Sequence, residues 1–448
     1  MLMTRRHSLK LGIAAFLTSL AGKVAAQEML GARVIVVGAG IAGLAAAKLL
    51  QSLGAEVAVL EAGDHIGGRI RTDMSLGAPF EFGAGWIHGP SQDNPVQRLA
   101  DKIKARRFVT DDESLEVFDR QGRELTDAEY DRLDALYEQT ERKFEDLESE
   151  DARSLRAAIE DMMPGLLSDP LGQWLVSSAT EFDIGAGIED ISAANAFLDK
   201  AFEGRDVILP HGYDAVLVPL SDGLDIRLNT RVSQISYRAD GVDVDGVAAD
   251  YVVCAVPLGV LKAGGIIFDP ALPDAVQDAV NKIGFGTVTK IAFKFAAPFW
   301  DVETQYFGMM TEPKGRWNYW LNYRTFCDEN ILLGLSFGQY APIADRMSKE
   351  EMTADALSVL RSVWGAGVPA PQAVLCTHWS TYPDFKGAYS FPQAGGSIAE
   401  FRRFERPISG RLFMAGEHTF FDYHGTTHGA LLSGQRAGNA IAENWRKE

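Results

Sequence analysis

"ARVIVVGAGIAGLAAAKLLQSLGAEVAVLEAG", residues 32–63, decides the fold. It runs from a continuous apolar stretch through a glycine turn and an alanine-rich helical stretch to a second short apolar run. That order is the opening of a βαβ unit, because parallel strands need a crossover long enough to hold a helix. An α/β fold with a doubly wound parallel sheet is expected. Gly38, Gly40 and Gly43 stand at the strand–helix junction with G-x-G-x-x-G spacing. The first permits the tight turn, the second lets backbone approach a pyrophosphate, and the third lets helix pack on strand, with the helix N-terminus facing the phosphates. Glu61 ends the second run 18 residues beyond Gly43, where an acid can accept hydrogen bonds from a ribose diol. A dinucleotide site is predicted, with NAD and FAD both open.

Before this unit lie 26 residues of another character: a basic start "MTRRHSLK", the apolar "LGIAAFLTSLAG" and the small residues "KVAAQ". They read as an export signal cleaved after Ala26, with Arg5 and Arg6 resembling a bacterial twin-arginine signal although Ser8 replaces a bulky apolar residue. The apolar stretch is too short for the roughly 20 residues of a spanning helix, so no stable membrane insertion is expected and the periplasm is the expected compartment. Cleavage removes Arg5, Arg6, Lys10 and Lys23 and no acid, taking the formal charge from −18 to −22. Nucleic acid is therefore an unsuitable partner, whereas a cationic small molecule is attracted. Cys254, Cys327 and Cys376 lie far apart without paired spacing, so neither a disulfide framework nor a metal site is expected.

The 448 residues, 46 % hydrophobic, suffice for two or more domains. From about Arg98 to Leu198 charged helical patterns dominate, as in "DAEYDRLDALYEQTERKFEDLESED", and suggest a helical insertion with one solvated face. Strand-like runs return at "DIRLNTRVSQISYRADGVDVDG" and "ADYVVCAVPLGVL", an aromatic-rich region spans about Pro270 to Ala399, and the last fifty residues again alternate strand, turn and helix. The runs suited to a parallel sheet thus lie at start, middle and end. Residues 27–90, 205–269 and 400–448 are assigned to a Rossmann-like dinucleotide-binding domain, interwoven with a mixed α+β substrate domain from residues 91–204 and 270–399.

"HIGGRIRT" places Gly67, Gly68 and Arg69 just after the ribose acid, where a second glycine pair and a guanidinium can close over the pyrophosphate. Taken with G-x-G-x-x-G and Glu61, this order resembles the flavin-containing amine oxidase family, which includes monoamine oxidases, polyamine oxidases and histone lysine demethylases. Five further stretches carry the resemblance: "GAGWIHGPSQDNPV", similar to polyamine oxidases, "RVSQI", "FGTVTKIAFKF", "HWSTYPDFKGAYSF" and "AGEHTFFDYHGTTHGALLSG". The resemblance implies FAD, with Gly38, Gly40, Gly43, Glu61, Gly68, Arg69, Gly85, Trp86, Val232, Trp379, Glu417, Thr426 and Thr427 at the cofactor, Glu417 on its polyol or phosphate region. Ala388 and Tyr389 stand where monoamine oxidases carry a flavin-linked cysteine, so the FAD is expected to be non-covalent.

Period-two alternation in "FGTVTKIAFKF" sets Lys290 in one row with Val288, Ala292 and Lys294. The resemblance puts Lys290 where the family holds a water against flavin N5, and leaves Lys294 solvated. It makes Tyr389 one wall of an aromatic substrate cage, Thr426 the replacement of the second wall, and His88 a polar residue directed into the substrate tunnel, where Trp86 also lies. His424 and His428 are neighbours of this site with a packing role at least as natural. Glu181 is ranked first, ahead of Asp183, Glu189 and Asp190, to bind a distal ammonium. The implied reaction is oxidative deamination of polyamines: hydride passes from the amine α-carbon to flavin N5, the imine is hydrolysed, and oxygen becomes hydrogen peroxide. An exported L-amino-acid oxidase, with Arg316 or Arg324 on the carboxylate, and a non-catalytic flavin-binding module are the alternatives.

Overall fold

The run Arg33–Val37 is the central strand of a five-stranded parallel sheet, flanked by Tyr251–Cys254 and Leu412–Met414 on one side and by Glu56–Leu60 and Asp225–Arg227 on the other. The computed structural model describes residues 28–148 and 151–447; the expected export signal lies outside the described residues. Alternation sends Val34 and Val36 toward helices Ile41–Ser52 and Thr427–Trp445, while Ile35 and Val37 enter a different cluster. That second face is covered by the sheet of Val247–Ala249, Gly241–Val244, Gln234–Arg238 and Ile267–Asp269, not by helices alone. Burial on both faces explains why Val34–Val37 of the central strand are all apolar, while the exposed Arg33 opens it. The helices Ile41–Ser52 and Thr427–Trp445 approach closely because Gly434 has no side chain: a Cβ there would run into the Ala42 carbonyl.

A second sheet has six strands in the order Ala373–Cys376, Thr289–Lys294, Ile331–Ser336, Tyr319–Asn322, Tyr306–Met309 and Leu115–Phe118. Its neighbours pair antiparallel except the last two, which are parallel. Within Thr289–Lys294, Ile291 and Phe293 face an aromatic core with Trp300 and Trp320, and Ala292 faces Trp379 and Ala388. The expected helical insertion does hold the helix Asp127–Glu145, opened by a Thr126–Glu129 capping box and burying Leu133, Tyr137, Thr140 and Phe144 along one stripe. It is not helical throughout, because Leu115–Phe118 leaves it to become an edge strand of the six-stranded sheet.

Candidate active site

The two sheets enclose a cavity of about 630 Å³. One end is built by the glycine turn. Gly38 has φ +103°, a left-handed conformation that favours glycine, and a Cβ there would stand 3.0 Å from the Ala255 carbonyl oxygen. A Cβ on Gly43 would collide with the Gly38 carbonyl, so helix and turn can touch only through glycine. Gly40 is the helix N-cap; it supplies no side-chain cap, and a Cβ there would meet nothing nearer than 4.0 Å. The first-turn N–H groups therefore face open space at the positive end of a helix, which fits an anionic phosphate. Glu61 accepts from Ala39 N at 2.7 Å and Gly63 N at 2.8 Å, and Val232 lines the cavity with it. These features, with Gly67 and Gly68 opposite, suit a dinucleotide such as FAD.

Arg69 and Glu417 come together as an ion pair. Arg69 Nη1 donates to Glu417 Oε1 at 2.8 Å and to the Ala388 carbonyl at 2.7 Å. Glu417 Oε2 accepts from Ser390 Oγ, Ser390 N and Gly425 N at 2.5, 3.2 and 3.0 Å. Burial pushes this acid's pKa up, yet the Arg69 guanidinium, then His418 and the Ser390 hydroxyl, outweigh it and bring it down to about 2. Both residues line the cavity, where they form a clamp that joins three chain segments.

At the other end Lys290 is 5 % exposed. Its Nζ donates to the carbonyls of Glu81 at 3.1 Å and Gly83 at 2.5 Å and lies 5.7 Å from the Trp86 ring centroid. Burial lowers its pKa to about 8, with Glu81 acting in the opposite direction. Lys294 differs from the solvated expectation: it is half-buried, paired with Glu329 at 2.7 Å and donating to Leu76 O. Trp379 is buried, with Nε1 donating to Phe82 O at 3.1 Å. Tyr389 lines the cavity and donates from Oη to the Phe182 carbonyl at 2.9 Å, packed so closely on Gly185 that a Cβ there would clash.

His88 lines the cavity too, its Nδ1 held by Asp206 at 2.5 Å. Asp206 lies far along the chain, and no local signal marks it. Trp86 and Gly85 are further lining residues. Thr426 lines the cavity, but its hydroxyl serves the protein: it donates to Tyr423 O and accepts from Gly429 N as the N-cap of Thr427–Trp445. Thr427 Oγ1 meets Tyr213 Oη at 2.8 Å. His424 lines the cavity, whereas His428 packs edge-on against Phe202 and Tyr423.

Glu181 is the residue the structure removes from the site. It sits in a π-helical turn, Ser177–Glu181, is fully buried, and pairs with Lys314 at 2.6 Å while accepting from Ile188 N. Asp183, two residues on, lines the cavity; Glu189 pairs with Arg156 and Asp190 accepts from Gln339. Asp112, Glu141, Glu145 and Asp199 also line the cavity. Among the lining residues there is no cysteine, so no thiol is placed to tether a cofactor.

Residues 41–168 and 167–442 match the family model described as flavin containing amine oxidoreductase. Polyamine oxidase 5 of Oryza sativa subsp. japonica is 32 % identical over 425 residues, covering 90 % of this chain and 86 % of that protein. Polyamine oxidase 2 of Arabidopsis thaliana is 31 % identical over 429 residues with the same coverage. Lysine-specific histone demethylase 2 of Homo sapiens is 31 % identical over 442 residues, which span 91 % of this chain and 53 % of that protein. A solved structure of wild-type putrescine oxidase bound to putrescine shares the fold, with TM-score 0.73 at 21 % identity over 92 % of this chain and 98 % of that one.

Proposed function

Because the chain belongs to the flavin-containing amine oxidoreductase family and is an FAD-dependent amine oxidase, we propose that its substrates are polyamines. The observation that carries this reading is the charge of the cavity lining. Asp112, Glu141, Glu145, Asp183 and Asp199 bring carboxylates to it. Its cations are already engaged: Arg69 by Glu417, Arg231 by Asp384, Lys200 by Asp422, and Lys290 by two carbonyls. A multiply charged amine finds favourable potential along such a wall, and a substrate carboxylate finds no vacant partner. Arg316, bound to Asp355, and Arg324, bound to the Asp328 carbonyl, do not line the cavity, which disfavours an amino-acid oxidase.

Bound FAD supplies a two-electron acceptor for the C–H bond next to nitrogen and returns the electrons to oxygen as hydrogen peroxide. Gly38, Gly40, Gly43, Glu61, Gly67, Gly68 and Val232 would hold it at one end, with Trp379 and the Arg69–Glu417 clamp farther along. His88, its Nδ1 fixed by Asp206, keeps Nε2 to exchange a proton with the amine, which must be neutral to be oxidised. Tyr389 orients the reacting nitrogen, and Lys290 with a water assists imine hydrolysis or reoxidation. Trp86 and Trp379 exclude solvent. The test is anaerobic bleaching of the yellow holoenzyme by spermine, spermidine, an acetylated polyamine, a monoamine or an L-amino acid, each alone. Selective bleaching by polyamines is expected; bleaching by the amino acid alone would overturn the reading.

We also propose export to the periplasm, supported by the twin-arginine-like pattern of residues 1–26. Sequencing the N-terminus of protein recovered from a periplasmic extract should find a chain beginning near Gln27. Intact protein confined to the cytoplasm would refute it.

A further inference from the structure

The turn that holds Lys290 has an acid folded beneath it. Lys290 Nζ binds the main-chain carbonyl of Glu81, and the side chain of that same Glu81 is buried. Its carboxyl accepts from Thr72 Oγ1 and from Tyr213 N, each at 2.7 Å. A Cβ on Gly85 would come within 3.3 Å of the Glu81 Cβ, so the side chain is packed under the 81–85 turn. From there the connection returns to the cavity, since Tyr213 Oη meets Thr427 Oγ1.

We propose that Glu81 is a positioning residue for Lys290: one carboxylate anchors the turn whose carbonyls hold the ammonium and supplies the buried countercharge that keeps it protonated. The surroundings support the pairing. The charge acting on Lys290 is that of Glu81. Its other neighbours are uncharged, with Trp86 beside Nζ, Leu335 opposite on the next strand, and Thr377 accepting from its main-chain N–H. Around Glu81 stand Thr72, Tyr213, Asp214, which opposes its ionisation, and Tyr323, whose hydroxyl donates to Pro79 O. Burial raises the Glu81 pKa to about 7, against Thr72, the Tyr213 N–H and Lys290. Around neutral pH the two buried groups thus carry opposite charges, and removing one leaves the other without its countercharge.

The functional half of the test rests on the role given above to Lys290; the other half does not. Glu81→Gln is close to isosteric, and its amide can keep both contacts. In the holoenzyme, the inflection in the pH profile of reoxidation that disappears in Lys290→Met should move down by roughly one unit or more in Glu81→Gln and return in Glu81→Asp. A purely structural Glu81 would change rates without moving the inflection, and that result overturns the proposal. Independently of turnover, the FAD-free Lys290→Met protein should lose melting temperature as pH rises from 4.5 and go on losing it above about 7, where the wild-type acid is ionised beside Lys290, because its stranded acid resists ionising in the fold. The double variant Glu81→Gln/Lys290→Met should lack that fall. Identical pH dependence in the two proteins would overturn the pairing, whatever the enzyme assay shows.

Discussion

Glu417 joins residues from three parts of the chain through one carboxylate, receiving Arg69, Ser390 and Gly425. Its folded pKa of about 2 lies below the ordinary 4.5, so its stabilisation is fully present above pH 4.5 and is lost as pH falls through about 2. Glu417→Gln leaves the half-buried Arg69 charge without its partner and should cost about 2 kcal/mol, seen as a lower melting temperature at pH 7 and a smaller difference near pH 2. Equal losses at both pH values would show that the charge is not what stabilises. Lys290 was legible through the matched motif alone, since by strand alternation a lysine is expected to reach solvent. Glu181 was not, because a π-helical turn shifts the register and sends it to Lys314, leaving Asp183 on the cavity. Asp206 and Glu81 were missed for another reason: each acts on a partner over a hundred positions away, and only folding brings them together.

The helix Ile41–Ser52 is fixed at both faces by missing side chains. Gly43→Ala would drive a Cβ into the Gly38 carbonyl, and Gly434→Ala would drive one into the Ala42 carbonyl of the same helix. Both variants should melt lower and retain less FAD after gel filtration. Gly40→Ala has room at 4.0 Å and should fold normally, so any loss of FAD there reports crowding of the phosphate position. If Gly43→Ala keeps its cofactor and its melting temperature, this account of the turn fails. The glycine spacing made this element readable from sequence, since each glycine answers a steric demand. The strand Leu115–Phe118 escaped notice: it is four residues long, lies within a charged stretch, and is defined by pairing with Tyr306–Met309.

Across the whole molecule the formal charge of −18 and the carboxylates of the cavity lining act together on an incoming cation. Raising ionic strength from about 0.01 M to about 0.15 M shortens the screening length from about 30 Å to about 8 Å. KM for spermine should then rise several-fold, and KM for a singly charged amine much less. An unchanged ratio between them would argue against long-range attraction. At this scale the sequence was most informative, since its apolar runs at start, middle and end do supply the parallel sheet through Arg33–Val37, Tyr251–Cys254 and Leu412–Met414. What it could not convey was the covering of the sheet's second face by short strands, whose alternation looks the same wherever they pack.

The helix Ile41–Ser52 rests against the helix Thr427–Trp445, and the strand Leu412–Met414 before it completes the sheet. The cofactor cradle therefore cannot close until Leu412–Trp445 has been synthesised. The first strand and its glycine turn emerge early and wait with their apolar faces uncovered while the intervening residues are synthesised. Capture of FAD therefore waits on the segment Leu412–Trp445, and a product that stops before it lacks both the edge strand and the helix on which Ile41–Ser52 packs.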